Sequence, residues 1–378
     1  MTTRVINHKP RFVVPPAAPQ QQSRLVSTDK RDRIVSIDSM RTIANLTVII
    51  GHWFAHLGSY GSLPYLLSYI LLGNLANITA PFFFIVSGYF IRESLKAGRR
   101  PASIFKKLAR RIIPIYLFWI MIYNFLPLFG LRQWLNGNFV AIHHETVTAF
   151  AALINNPVRF LFEGNTPHLW FLPALVITNG LVLWMIHRRS TRLLLPISVL
   201  GYIVFLMKVP YQGLFGGSPL PYYVMQLLPS FAFVSLGYGL NSERFTPKAK
   251  LGIAFMIAGY LLKLAERAFL STIFLNPFLF TYLLATPLMS AGAFIFAISK
   301  PGFGKGTLFA NLGKYSLGIY AAHVFVVNKL FQYHIFSMSM AFSGLFFVHL
   351  LGILSIYVLT ITLIYCASRF QFLKSFVF

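Results

Sequence analysis

An arginine, Arg41, precedes a histidine, His52, by eleven positions in the stretch SIDSMRTIANLTVIIGHWFAH (residues 36–56), with nothing ionisable between them. At about 100° per residue, eleven steps bring a helix back to within about 20° of the same face, while its axis advances roughly 16 Å. One membrane helix would therefore put Arg41 near a surface and His52 half a bilayer deeper on the same stripe. Each such polar group costs several kcal/mol in hydrocarbon, so the stripe needs a lined cavity or polar partners. An imidazole there can take a proton from a hydroxyl as general base or carry an acyl group transiently. It can equally be a buried histidine that joins two helices. The fork of Arg41 suits a phosphate or an acyl carbonyl, or simply anchors the helix at the interface, with Asp38 one turn earlier as its partner. His56 lies four residues beyond His52, but no carboxylate or thiolate is near enough to complete a metal site, so none is expected.

Three more stretches mix polar groups with apolar runs. In PFFFIVSGYFIRES (81–94), Ser87-Gly88 allows another backbone to come close, and Arg92 marks the exit from the span. FKKLARRIIPIY (105–116) follows, with Lys106, Lys107, Arg110 and Arg111 ahead of a span expected to begin near Pro114. Such a patch can grip a polyanionic nucleotide or serve only as a topology signal. EGNTPHLWFLPAL (163–175) offers Glu163, Asn165, His168 and Trp170, a mixture suited to a sugar's hydroxyls and apolar face. The same residues also suit an interfacial aromatic belt and a helix start at Pro167. KYSLGIYAAHVFVVNK (314–329) places Tyr320 and His323 inside a span, facing the interior of a bundle. GFGKGT (302–307) is not a phosphate-binding loop, because GxxxxGK[ST] is absent and no strand precedes it.

The elements that must position these residues are membrane helices. Of 378 residues, 56% are hydrophobic and only 11% charged, against about 25% charged in soluble domains. The expected fold is all-α, a polytopic bundle of about ten spans, at roughly 38–57, 70–91, 112–130, 168–187, 193–209, 220–240, 250–270, 274–299, 309–332 and 342–367. The net charge of +25 (33 basic, 8 acidic) would suit nucleic acid in a soluble protein. Here the basic residues sit in short loops, as anionic lipids and the positive-inside rule require, so anionic lipids are expected partners and nucleic acid is not.

Loops 92–111, 187–192, 241–250 and 300–306 carry the Lys and Arg, whereas those around 58–69, 210–220 and 333–341 carry none. Both termini are therefore expected in the cytoplasm. Residues 1–33 read as a disordered basic tail without a cleavable signal, 34–367 as the transmembrane domain and 368–378 as a short cytoplasmic tail. The long external loop 131–167 is a candidate functional segment. Cys366, the only cysteine, excludes a disulfide framework.

Taken in order, these blocks resemble the membrane acyltransferase-3 family, bacterial O-acetyltransferases of surface polysaccharides such as O-antigen. The resemblance rests on Ile37, Asp38 and Arg41, then ten residues, then His52. It continues through FFFIVSGYF, Arg111 to Pro114, HLWFL at 168–172 and SLGIYxxH at 316–323. It implies an inner-membrane enzyme that takes acetyl from cytoplasmic acetyl-CoA and places it on an extracytoplasmic or lipid-linked saccharide. His52 would be the catalytic base or acyl relay, and Arg41 would hold the thioester end. Ser87, Arg92, Lys107 and Arg111 would meet the donor, while Glu163, Asn165, His168, Trp170, Tyr320 and His323 would face the acceptor. Another branch of the family carries a W-S-L-x-V-E-like block where this chain has HLWFLPAL, so that glutamate is missing and Glu163 is the open candidate for its place. With no esterase-like domain after the last span, delivery is expected to finish inside the membrane domain. The alternative, a transporter or flippase of a glycan or lipid-linked sugar, fits less well. Such carriers show broken helices in related halves or coupling carboxylates at mid-membrane, and most of the eight acidic residues here fall at span ends.

Overall fold

The described parts of the apolar runs are mostly helical. The computed structural model describes residues 34–57, 70, 73–125, 137, 147, 148, 150–164, 166–243, 245–273, 282–332 and 346–377. The proposed tail 1–33, residues 131–136, Asn165 and the side chain of His56 lie outside them. We label the helices α1 (Val35–Leu57), α2 (Thr79–Lys96), α3 (Pro101–Phe125), α4 (Pro157–Glu163), α5 (Phe171–His187) and α6 (Leu194–Lys208). The series continues with α7 (Leu227–Leu240), α8 (Ala249–Ser271), α9 (Thr286–Ser299), α10 (Ser316–Gln332) and α11 (Phe346–Arg369). Among the described residues there is no strand. Among the described residues, five stretches are long and apolar enough to cross a membrane: Asn74–Lys96, His168–His187, Thr191–Lys208, Tyr222–Leu240 and Phe347–Arg369. Of the other expected spans, α1, α3 and α8 carry charged residues within them, and α9 and α10 are shorter.

Helix α1 packs against α2, α9, α10, α11, the Gly73–Ile78 turn and the short helix Leu308–Leu312. Its apolar side chains Ile37, Ile49, Trp53 and Phe54 are buried. So is a polar ladder at every third position. Ser36 Oγ donates to the Ala297 carbonyl (2.6 Å), Ser39 Oγ to Phe303 (3.1 Å), Thr42 Oγ1 to Phe309 (2.7 Å) and Asn45 Nδ2 to Ser316 (3.0 Å). Inside a membrane each such bond contributes about 0.6 kcal/mol. Together they pin the first half of α1 to the chain between α9 and α10. At the far end Trp53 Nε1 donates to His349 Nδ1 of α11 (3.1 Å).

The Ser87-Gly88 pair does what small residues do in membrane bundles. A methyl group added at Gly88 would run into the Val234 carbonyl of α7, and one at Gly237 into the Ile85 carbonyl of α2. These two backbones touch because neither carries a side chain there. Gly88→Ala is expected to destabilise the fold by about 1–3 kcal/mol, the usual range for overpacking. A thermal melt of the purified variant checks this, and an unchanged midpoint would contradict the close contact.

Two expectations about boundaries are corrected. Helix α3 begins at Pro101, eleven residues before the expected span, so Lys106, Lys107, Arg110 and Arg111 lie on a helix rather than in a loop. The stretch ASIFKKLARR is rich in good helix formers, and Pro101 stands at a helix start, where its missing N–H costs nothing. Pro114 is consequently inside α3 rather than at its first turn, a position that membrane helices tolerate. The loop 131–167 is also not all irregular, since it contains α4. Asn156 Oδ1 accepts from the Arg159 N–H (3.0 Å) and Pro157 takes the first helical position, a helix-start signal that the sequence reading passed over.

Candidate active site

Two helices and one tight turn bring imidazoles together around His52. His52 comes from α1, His323 from α10 and His168 from the 3-10 turn Pro167–Trp170. The His52 ring lies 4.9 Å from that of His323 and 6.0 Å from that of His168, centre to centre, and the latter two are 5.4 Å apart. His168 and His323 are buried and His52 is partly exposed. Two tyrosines close the group. Tyr123 of α3 stands edge-on to His168 at 5.1 Å, and Tyr320 lies 5.7 Å from His323.

Backbone carbonyls of α10 set which nitrogens carry protons. His323 Nδ1 lies 2.6 Å from the Tyr320 carbonyl, and His168 Nε2 lies 3.3 Å from the Ala321 carbonyl. A carbonyl can only accept, so the facing nitrogen is an N–H. In the neutral rings the lone pair then falls on Nε2 of His323 and Nδ1 of His168. Tyr320 in turn donates its hydroxyl to the His168 carbonyl (2.5 Å). The result is an imidazole, His52, in ring contact with two others whose tautomers are fixed. That arrangement can take up and pass on a proton. Among the described residues no group of His, Cys, Asp and Glu has metal-binding geometry.

The other expected site residues lie apart from this centre. Arg41 is eleven residues back along α1, its Nη1 3.0 Å from Asp38 Oδ1 and its guanidinium 5.9 Å from the Phe90 ring of α2. Arg111 of α3 is within electrostatic reach of the same aspartate. Ser87 donates to Asn179 Oδ1 (2.7 Å), and Arg92 donates to the Tyr238 carbonyl (3.3 Å) over that residue's ring. Lys107 is exposed on α3. Trp170 packs on Phe84, Phe171 and Tyr282. Glu163 is buried, accepts from Arg159 Nε (3.2 Å), and lines a cavity of about 240 Å³ with Asn155, Asn156, Arg159 and Gly164. The acceptor set named from the sequence thus divides between the histidine centre, this cavity and an aromatic shelf.

A match to the family described as an acyltransferase domain runs over residues 34–369. The chain belongs to the acyltransferase-3 family. It is a multi-pass membrane protein of that family, with an all-α bundle in which His52, His168 and His323 are gathered at one point. Two relatives, both amino-acid racemases of Enterococcus faecalis, are similar to part of it. One is 27% identical over 219 residues (57% of this chain) and the other 24% identical over 233 residues (61% of this chain). The chain spans only 28% of the length of each of these curated relatives. No solved structure matches it.

Sequence reasoning missed Tyr123, which has no motif and reads as one more aromatic in an apolar run. It also missed the charged group on α8. Lys263 and Arg267 are buried, and with the Asn77 amide turned so that its oxygen faces them, they lie 2.9 and 2.8 Å from it. Glu266 between them accepts from Tyr211 (2.5 Å) and from the backbone N–H groups of Leu284 (2.7 Å) and Ala285 (3.1 Å) at the start of α9. A carboxylate at a helix N-terminus is a structural cap, which leaves it ill suited to the coupling role a carrier would need.

Proposed function

We propose that this acyltransferase-3 protein moves an acetyl group from cytoplasmic acetyl-CoA to a hydroxyl of an extracytoplasmic or lipid-linked saccharide, in a bacterial inner membrane with both termini cytoplasmic. The observation that carries the reading is the contact of His52 with His168 and His323 inside an acyltransferase domain. His52 takes the proton of the acceptor hydroxyl, the oxygen bonds to the thioester carbon, and the carbon–sulfur bond breaks. The proton then passes from His52 to the departing CoA sulfur, so that the charge balances. In the other route His52 carries the acetyl group itself between donor and acceptor. The two flanking imidazoles accept or return the proton in either case.

The donor end is assigned to Arg41, with Arg111 and Lys107 on α3 and Ser87 and Arg92 on α2 towards the CoA phosphates. The acceptor end is assigned to the Glu163 cavity, where a carboxylate, a guanidinium and two amides offer the hydrogen bonds a sugar needs. Trp170 and Tyr320 would hold the sugar's apolar face. Racemisation is not part of the proposal, because the matched stretch is 28% of each racemase.

Purified protein in detergent is expected to bind acetyl-CoA and release free CoA slowly in the absence of acceptor. Folded protein that binds no CoA would remove the donor assignment and favour a carrier of glycan or lipid-linked sugar.

A further inference from the structure

Tyr123 is tied to α10 by both functions of its hydroxyl. It accepts from the backbone N–H of Phe325 (2.9 Å) and donates to the carbonyl of Ala321 (2.8 Å). Residues 321 and 325 are the acceptor and donor of a single i to i−4 step of an α-helix. The hydroxyl of Tyr123 therefore bridges one rung of α10, and His323 sits between the two ends of that rung. The Ala321 carbonyl also takes the Nε2 proton of His168 (3.3 Å), using the second lone pair that a carbonyl oxygen possesses. The Tyr123 ring meanwhile lies edge-on against the His168 ring.

We propose that Tyr123 is a positioning residue of the histidine centre. Through the bridged rung it holds the Ala321 carbonyl where His168 must present Nε2–H, and it fixes the turn of α10 from which His323 reaches His52. It touches neither donor nor acceptor and acts only through the two imidazoles. Tyr123→Phe keeps the ring contact and removes the hydroxyl. The Phe325 N–H and Ala321 carbonyl must then close on each other or lose a partner, and either change turns His323 and releases His168 from a single tautomer.

This inference rests on the acyltransferase reading for its kinetic consequence, but its structural part is read independently of turnover. In protein labelled with nitrogen-15 histidine and held in lipid bilayers, the wild type is expected to show an Nε2–H signal that disappears in His168→Asn and an Nδ1–H signal that disappears in His323→Asn. In Tyr123→Phe the His168 signal is expected to split between tautomers. In the CoA-release assay Tyr123→Phe is expected to lose tenfold or more in kcat with KM for acetyl-CoA within twofold. Adding it to a variant that carries both His168→Ala and His323→Ala is expected to cause no further loss. Unchanged tautomers in Tyr123→Phe, or a further loss when it is added to the variant lacking both imidazoles, would overturn the proposal. Wild-type protein with the expected spectra and no CoA release would instead count against the acyltransferase chemistry, leaving the positioning role in place.

Discussion

His52→Ala is expected to lower acetyl transfer by about 10²–10⁴-fold, the contribution a positioned general base makes. If His52 also carries the acetyl group, the loss lies at the upper end. The fold should survive, because alanine is the best helix former and His52 is only partly buried, in the last third of a long helix. Donor binding should survive as well, since Arg41 and its Asp38 partner lie three turns away on the same helix. The comparison is CoA release and acetyl transfer by wild type and variant at saturating acetyl-CoA, with CoA binding measured on both. Full transfer by the variant would remove His52 from the chemistry.

The second large effect is expected at His323. Its Nδ1–H is directed at the Tyr320 carbonyl, and its ring is the nearer of the two imidazoles to His52. His323→Asn retains an N–H that can donate to that carbonyl but has no basic ring nitrogen. The variant should therefore keep its packing and lose proton transfer, with kcat falling by about 10²-fold, the lower end of the general-base range. KM for acetyl-CoA should change little, because His323 lies on α10, away from the Arg41 end of α1. A fall in binding with kcat intact would place His323 at the donor or acceptor instead.

How much of this was legible differs element by element. The composition and the alternation of apolar runs with basic loops identified the helices, because burial in lipid leaves so few alternatives. The single helix linking Arg41 to His52 was legible from its spacing, as was the close backbone approach at Gly88. The gathering of His168 and His323 at His52 was not, since it depends on how α1, α3, α5 and α10 pack. Periodicity says only that a residue faces inward. The start of α3 was misplaced because charged residues were read as loop, although Lys and Arg are good helix formers. Tyr123 was invisible because its role depends on two backbone groups 200 residues away in sequence. The hydroxyls and amide of the α1 ladder, spaced by three, were visible as letters, but their partners between α9 and α10 were not.

That ladder has a consequence for donor choice. With the first half of α1 fastened to the neighbouring chain and its far end held by Trp53 and His349, the helix cannot slide, and the roughly 16 Å rise from Arg41 to His52 becomes a fixed gauge. On the proposed assignment, a donor held at the Arg41 end of α1 would bring its acyl carbon to His52 only where its reach matches that length. Selection among donors would then depend on reach.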